Sequence, residues 1–512
     1  MMQMTIPYLL DRAAVRHPGK TAVISEHGSW TFPQWRAESE AMALALKQLG
    51  VMPGDHVAVI FLNGRRLLAL FVALFRLGAV AVPLNVRLST PELAHIIADS
   101  DAGTVIFDAR FTSQVEHLRQ GRLPVGRWII SGGEDAGAEV SLDQALEGCR
   151  YASWEGPPPA ENQTALILYT AGTTGKPKGV VLTHHNCVWA AASAAAEVDL
   201  RPDYRVALVF PLYHSAALAI LVTNLYLGCC TVTMAKFDPD LVVETVQREA
   251  INRLVFPPTV WNFILQLPDL EKFDTSSVRS LGSGGEIMPV HTKMRLLEVF
   301  ARAKLGETYG MTETMATIST LKPEDVLRKA SSVGTPFYNV ELRIVDEKGR
   351  ELPSGRVGEI AVRGPNVASG YYKDPATTAK TFPDGWLRTG DLGEMDPEGF
   401  LFLRGRKKEL IISGGENIYP REIEEVLIRH PAISEVAVVG VPDAVWGQRV
   451  HAVVALKEGH SIRDQEVVDF CRGRLAGFKK PKTVQFVKCL PRSAAGKVLK
   501  RKLLEEMQSR NS

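Results

Sequence analysis

The chain has 512 residues, 46% of them hydrophobic and 23% charged, with a formal net charge of +2. That length exceeds what one core holds and calls for two to four packed units, while the near-balanced charge gives no ground for a nucleic-acid or membrane-surface binder. Cys149, Cys187, Cys229, Cys230, Cys471 and Cys489 form no C-x-x-C pair and the start shows no signal-peptide pattern, so the cysteines read as reduced core thiols of a cytoplasmic protein.

In chain order, residues 56–63 (HVAVIFLN) form a short apolar run, 65–78 (RRLLALFVALFRLG) have helical spacing ending on Gly78, and 79–85 (AVAVPLN) are apolar again. This is a β-α-β unit and predicts a parallel sheet covered by helices on both faces. The next unit starts at Thr90, a cap with Pro91 at the first helical position, and runs to the strand 104–108. Residues 164–170 (TALILYT) and 179–186 (GVVLTHHN) read as strands, the second running into a helix. The apolar stretch 206–230 contains Pro211, His214 and Asn224 and reads as a buried strand-turn-helix, with no integral membrane segment. Further α/β units are expected at 251–266 and 278–300.

Between 338 and 400 the pattern changes to period two with Gly and Pro punctuation, predicting a small antiparallel β region. From Arg404 onward there are 21 Lys/Arg against 13 Asp/Glu, compared with 38 against 44 before it. A separate basic domain that meets a polyanionic ligand fits this shift, and so does a solvated basic face. A helix from Pro420, strands near 434–440 and 450–456 and a helix near 464–475 are expected there.

Five stretches carry chemistry. In YTAGTTGKPKG (169–179) glycine, hydroxyl and lysine donors suit a polyphosphate. Its spacing fails the G-x-x-x-x-G-K-[ST] pattern, since Gly172 lies three before Gly175 and Pro177 follows Lys176, so a plain turn stands beside the phosphate reading. In GETYGMTET (306–314) Tyr309 suits a base, Thr308 and Thr312 suit phosphate oxygens, and Glu307 or Glu313 a divalent cation; a polar loop with a buried tyrosine is the alternative. Asp391 in DGWLRTGDLG (384–393) suits ribose hydroxyls or a tight turn. RGRKKELIISGGENIYPREIEE (404–425) is a basic stretch, a strand and a Gly-Gly turn. PRSAAGKVLKRKL (491–503) places Lys497 after a small-residue turn, or is a solvated basic helix.

In this order, over about residues 5–505, the five stretches resemble the adenylate-forming superfamily of acyl-CoA synthetases, peptide-synthetase adenylation domains and firefly-type luciferases, and are most similar to fatty-acid–CoA ligases. The resemblance implies an α/β fold with a large N-terminal domain of parallel sheets (1–403, with the β region at about 338–400) and a small mobile α+β C-terminal domain (404–512) rotating about a hinge near Lys408. It implies ATP, Mg²⁺ and coenzyme A as cofactors, a small-molecule carboxylic acid as substrate, and a homodimer as one assembly to test. Thr170, Ala171, Gly172, Thr173, Thr174 and Lys178 would then cradle the β- and γ-phosphates in a loop that orders with ATP. Glu313 would hold Mg²⁺, Thr312 would contact phosphate, Tyr309 would stack on adenine, and Gly284, Gly285 and Glu286 would line the adenine and acyl pocket. Asp391 and Arg406 would bind the ribose and Asn417 would approach the nucleotide. Lys497 would bridge carboxylate and α-phosphate. Gly414 and Gly415 would let pantetheine pass, and Lys236 would contact CoA.

The same resemblance puts His214 at the gate of the acyl pocket and Thr308 where it narrows that pocket. No Asp near His214 waits for a substrate ammonium, which argues against an α-amino acid, and the apolar run 215–222 suits a fatty or aryl acid. The leading expectation is a medium- or long-chain fatty acid passed to CoA. The alternatives are a cinnamate-type aryl acid and an acyl-AMP ligase loading a carrier protein. From a different class, a nucleotide-binding regulator without catalysis is disfavoured by the presence of both Glu313 and Lys497.

Overall fold

The strand His56–Ile60 shows why this chain builds layers. Its Val57 and Val59 belong to one buried apolar cluster and its Ala58 and Ile60 to another, the two-faced burial that follows when side chains alternate in a covered parallel strand. The computed structural model describes residues 3–133, 140–150, 152–170, 177–413, 416–443, 445–492 and 498–511. In it this strand lies within a sheet ordered Gly370–Tyr371, Lys178–Thr183, Thr164–Thr170, Val80–Pro83, His56–Ile60, Thr104–Asp108, Arg127–Ser131 and Val140–Ser141. The sheet is parallel from Thr164–Thr170 onward; Lys178–Thr183 and Gly370–Tyr371 add an antiparallel edge.

The expected β-α-β unit is present. Its helix Arg65–Leu77 is buried from Leu67 to Leu77, which accounts for a sequence apolar on every side. Gly78 ends it with φ +79°, a left-handed conformation that costs glycine little. The following helix, Thr90–Asp99, is capped by Ser89 rather than Thr90: Ser89 and Glu92 form the capping box and Pro91 sits inside the first turn.

A second sheet runs Thr335–Pro336, Ser319–Leu321, Lys304–Tyr309, Ser280–Gly284, Arg253–Phe256, Arg205–Leu208, Cys230–Thr233, Thr21–Ser25 and Gly28–Thr31. It is parallel through its centre and antiparallel at both ends. One apolar cluster takes in residues of both sheets together with the helices Ile6–Arg16, Phe32–Gln48, Arg65–Leu77, His184–Glu197 and Ser215–Leu227. Ala217, Leu218, Ala219, Leu221 and Val222 are all part of that cluster. The apolar run 215–222, expected to mark an acyl site, is therefore largely committed to joining the layers.

Packing divides the chain into two units, Met1–Leu342 with Val362–Leu387, and Arg343–Ala361 with Arg388–Ser512. The expected boundary at 403/404 falls inside the strand Leu401–Arg406, which pairs antiparallel with Leu387–Met395 from Asp391↔Arg406 to Met395↔Leu401. Those pairings draw much of the predicted β region into the second unit.

In the second unit, strands Ile433–Asp443 and Gly447–Leu456 pair along their length, and the helices Pro420–Leu427 and Asp464–Phe470 lie where the sequence put them. Val438 and Val454 join one apolar cluster with Ile423, Leu427 and Val467, while Ala437 and Val453 join another with Leu490 and Leu503. Of the six cysteines, five are buried as expected and Cys489 is exposed. No described helix is long and apolar enough to cross a membrane.

Candidate active site

The two strands Thr164–Thr170 and Lys178–Thr183 carry the first motif, with Thr170 opposite Lys178 in register. These two residues are the feet of the loop; Ala171, Gly172, Thr173 and Thr174 lie outside the described residues. Beyond the loop, Thr183 starts the helix His184–Glu197 with a capping box: Asn186 N–H donates to Thr183 Oγ1 and Thr183 N–H donates to Asn186 Oδ1. Asn186 Nδ2 then donates to the carbonyls of Pro365 and Val367, fixing the approach to the edge strand Gly370–Tyr371.

That edge strand brings in a residue that none of the five motifs contains. Tyr371 Oη donates to Glu313 Oε1 at 2.7 Å, and Lys178 Nζ lies 5.3 Å from the Tyr371 ring centroid. Burial, followed by the Glu313 charge, drives the Tyr371 phenol far above its ordinary range, so it stays a donor. Glu313 is 6% exposed and sits in the short 3-10 turn Thr312–Thr314. Thr312 and Tyr309 are half-buried beside it in sequence, Tyr309 ending the strand Lys304–Tyr309. Lys178, Tyr371 and Glu313 thus form one connected set from two motifs separated by more than a hundred residues.

The structure separates the two acidic candidates of GETYGMTET. Glu307 pairs with the fully buried Lys293, and Glu307 Oε2 accepts the Met288 N–H at 3.3 Å. Lys293 Nζ also donates to Ala330 O at 2.5 Å. Burial pushes the Glu307 carboxyl up while Lys293 pulls it back. Glu307 is therefore a structural anchor for the segment 284–289, and Glu313 is, among the described residues, the one of the two not tied to a lysine. A carboxylate with, among the described residues, a hydrogen bond to one oxygen fits Mg²⁺, which takes one or two carboxylates and completes its shell from phosphate and water. Among the described residues there is no group of three or more His, Cys, Asp or Glu able to hold a metal, so such an ion would need nucleotide oxygens.

Gly284 lies opposite Thr308 in register, and a Cβ there would come within 2.8 Å of Thr308 O. Gly285 has φ +83° and Glu286 is half-buried. His214 stands at the N-terminal cap of Ser215–Leu227, with its ring 4.6 Å from that of Tyr213. Asn63 holds this turn, donating to Phe210 O and accepting from Leu212 N–H. Lys236 is exposed in the loop after Cys230–Thr233. A small recess beside Thr308 is lined also by Gly306, Ser280, Arg253 and Lys322.

In the second unit Asp391, 6% exposed, receives Arg406 Nε at 2.7 Å across the paired strands. The two expected ribose ligands are thus one ion pair, placed by Thr389, whose Oγ1 accepts the Asp391 N–H. Lys408 is exposed in the turn Lys407–Glu409, and Asn417 is exposed opposite Ile412. Gly414, Gly415 and Lys497 lie outside the described residues.

The AMP-binding enzyme family matches residues 10–372, and the AMP-binding enzyme C-terminal domain matches 422–497. An indoleacetate–CoA ligase of Aromatoleum aromaticum is 38% identical over 499 residues, covering 97% of each chain. A long-chain-fatty-acid–CoA ligase of Mycobacterium tuberculosis is 36% identical over 514 residues, covering 98% of each. Among solved structures, an anthranilate CoA ligase in complex with anthranoyl-AMP superposes with a TM-score of 0.91 at 27% identity, over 99% of this chain and 98% of that one. With both family regions matched in order and relatives similar from end to end, this chain belongs to the AMP-binding enzymes, the adenylate-forming superfamily.

Proposed function

We propose that this chain is an ATP-dependent acid–CoA ligase that joins its acid first to AMP and then to the thiol of coenzyme A. The observation that carries this reading is the pair of family matches spanning both units, on relatives that are CoA ligases for indoleacetate and long-chain fatty acids. In the first step the acid's carboxylate oxygen attacks the α-phosphorus of ATP and the bond to pyrophosphate breaks. In the second the CoA thiol attacks the acyl carbonyl, its proton is lost and AMP leaves.

The first step brings an anion onto a polyanion, so charge neutralisation and in-line alignment dominate its cost. Thr170 and Lys178 would face the β- and γ-phosphates with Ala171, Gly172, Thr173 and Thr174. Mg²⁺, held by Glu313 and the phosphates, would neutralise charge on the leaving pyrophosphate. Tyr371 would orient the Glu313 carboxylate through its hydrogen bond, and Thr312 would bond phosphate. Tyr309 would lie against adenine beside Gly284, Gly285 and Glu286. Asp391 and Arg406 would take the ribose, with Asn417 near the nucleotide. Lys497 would join the acid's carboxylate to the α-phosphate, and a domain rotation about Lys408 would then replace it with the Gly414-Gly415 turn, with Lys236 at the CoA.

For the acid, a medium- or long-chain fatty acid passing His214 is the leading reading, supported by the long-chain-fatty-acid–CoA ligase relative. An aryl acid is the second reading, favoured by the indoleacetate relative and by a feruloyl-CoA synthase of an Amycolatopsis species at 36% identity. Pyrophosphate release with and without CoA, across saturated acids, cinnamates and benzoates, with mass detection of acyl-CoA, tests both. Acyl-CoA from a straight-chain acid is the expected result. Adenylate formation with no CoA thioester from any acid would replace this reading with carrier-protein loading.

A further inference from the structure

The feet of the expected phosphate loop, Thr170 and Lys178, stand side by side, and the row behind them is Tyr169 opposite Gly179. Side chains alternate along a strand, so the sheet separates two faces here. Leu168, Val180 and Tyr371 pack with the cluster that joins the two sheets, whereas Ile167, Tyr169 and Tyr372 pack with the cluster on the other side. Lys178 and Tyr371, with its partner Glu313, belong to the first face. Tyr169 and Tyr372 belong to the second.

On that second face both phenols end on one turn. Tyr169 Oη donates to Asp99 Oδ2 at 2.6 Å, and Tyr372 Oη donates to Asp101 Oδ2 at 2.8 Å. Asp99 is the last residue of the helix Thr90–Asp99, and Asp101 follows with φ +52°, a left-handed conformation that aspartate accepts more readily than most residues. Lys373 Nζ donates to Asp101 Oδ1 at 2.5 Å, and His56 Nδ1 donates to Ser100 O at 2.6 Å, so the turn is itself held. Burial, followed by the Asp99 hydrogen bond, drives the Tyr169 phenol far above its ordinary range, and burial followed by Asp101 lifts that of Tyr372 to about 12. Both stay donors at neutral pH. Between them lies Gly179, whose carbonyl accepts the Tyr372 N–H at 2.7 Å and on which a Cβ would come within 3.1 Å of the Tyr169 ring. The two bonds to the turn therefore bear on the three strands that carry Thr170, Lys178 and Tyr371. Phenylalanine would fill the same space; what the hydroxyls add is direction.

We propose that Tyr169 and Tyr372, bound to Asp99 and Asp101, are positioning residues for the triphosphate: from the back of the sheet they set where the feet of the loop and the Tyr371–Glu313 pair stand. This rests on the ligase reading above and deepens it. Neither phenol would touch the nucleotide, and each acts through the strand tip beside it.

The test measures Kd for MgATP and for AMP by titration calorimetry on the full chain, with no acid present. AMP lacks the β- and γ-phosphates that the loop would hold, so a displaced loop weakens ATP alone. Tyr169→Phe and Tyr372→Phe, which keep both rings, are each expected to weaken MgATP about tenfold and to leave AMP within about twofold, the scale of one lost charge-assisted hydrogen bond acting through position. Asp99→Asn keeps an acceptor for Tyr169 and should stay near the wild type, whereas Asp99→Leu should match Tyr169→Phe; this pair carries the test if a phenylalanine variant fails to fold. Equal weakening of both nucleotides, weakening of neither, or equal behaviour of Asp99→Asn and Asp99→Leu would overturn the proposal. A wild-type chain that binds neither nucleotide would remove the ligase reading as well, whereas undiminished ATP binding in every variant removes this inference alone.

Discussion

At the scale of single residues, the decisive pair is Lys293 and Glu307. Lys293 is fully buried and Glu307 is 5% exposed, so removing one partner strands the other charge. Lys293→Met is expected to cost about 3–5 kcal/mol, measured by denaturant unfolding. Lys293→Met with Glu307→Gln should recover most of that, because Gln still accepts the Met288 N–H without a charge. In the single variant Glu307 has lost the main group that held its raised pKa down and keeps only the Met288 N–H. It binds more protons folded than unfolded, so the variant's stability should fall as pH rises from about 5 to 7. A deficit that is flat with pH would show that the loss comes from packing.

The same pair shows what sequence could and could not tell. Glu307 and Glu313 are equally acidic and six residues apart, and nothing in GETYGMTET chooses between them. The choice is made by Lys293, fourteen residues upstream on the helix Val290–Val299. Lys293 read alone is one of many helical lysines. Tyr371 was missed for a similar reason: it meets Glu313 only because the strand Gly370–Tyr371 adds to the sheet edge beside Val180 and Val181.

At the scale of elements, the turn Thr312–Thr314 is held on several sides. Met311 N–H donates to Thr314 Oγ1, and Asn366 Nδ2 donates to the carbonyls of Thr314 and Thr317. Gly310 precedes it, and a Cβ there would lie 2.2 Å from the Ala316 carbonyl carbon. The chain doubles back so closely that only glycine fits. Gly310→Ala should displace Thr312 and Glu313 and lower kcat/KM for pyrophosphate release by about a hundredfold, the scale of an ångström misplacement. Undiminished turnover would show that the turn does not position the reacting groups. The α/β units were legible because burial on both faces leaves continuous apolar runs. The division of the β region was not, because it depends on which strands pair.

At the scale of the whole molecule, the second unit ties down both flanks of residues 493–497. Arg492 pairs with Glu435 at 2.6 Å and forms a bridge with Val498. Lys500 reaches Glu424 at 2.7 Å and Glu409 at 3.2 Å. Burial would lower the Lys500 pKa, but the two carboxylates outweigh it and raise it. Lys500 therefore links the helix Lys500–Asn511 to the turn that carries Lys408. Lys500→Met is expected to slow ATP–pyrophosphate exchange about tenfold or more while transfer from preformed acyl adenylate to CoA falls less. Equal losses in both half-reactions would point to general destabilisation. Lys497 itself was chosen from its motif, whereas the residues that frame it are scattered from Glu409 to Lys500 and emerge only in the fold.

The division into units has a consequence in covalent topology. The backbone passes from one unit to the other at 342/343, at 361/362 and again at 387/388. Severing any one of these junctions leaves two peptide tethers intact, so a single nick releases neither unit. A chain divided at 403/404 would be cut through the strand Leu401–Arg406, parting the Leu401↔Met395 pairing from the Arg406↔Asp391 ion pair. For splitting this enzyme into two separately expressed halves, the junction that sequence texture suggests is therefore a poor place to cut.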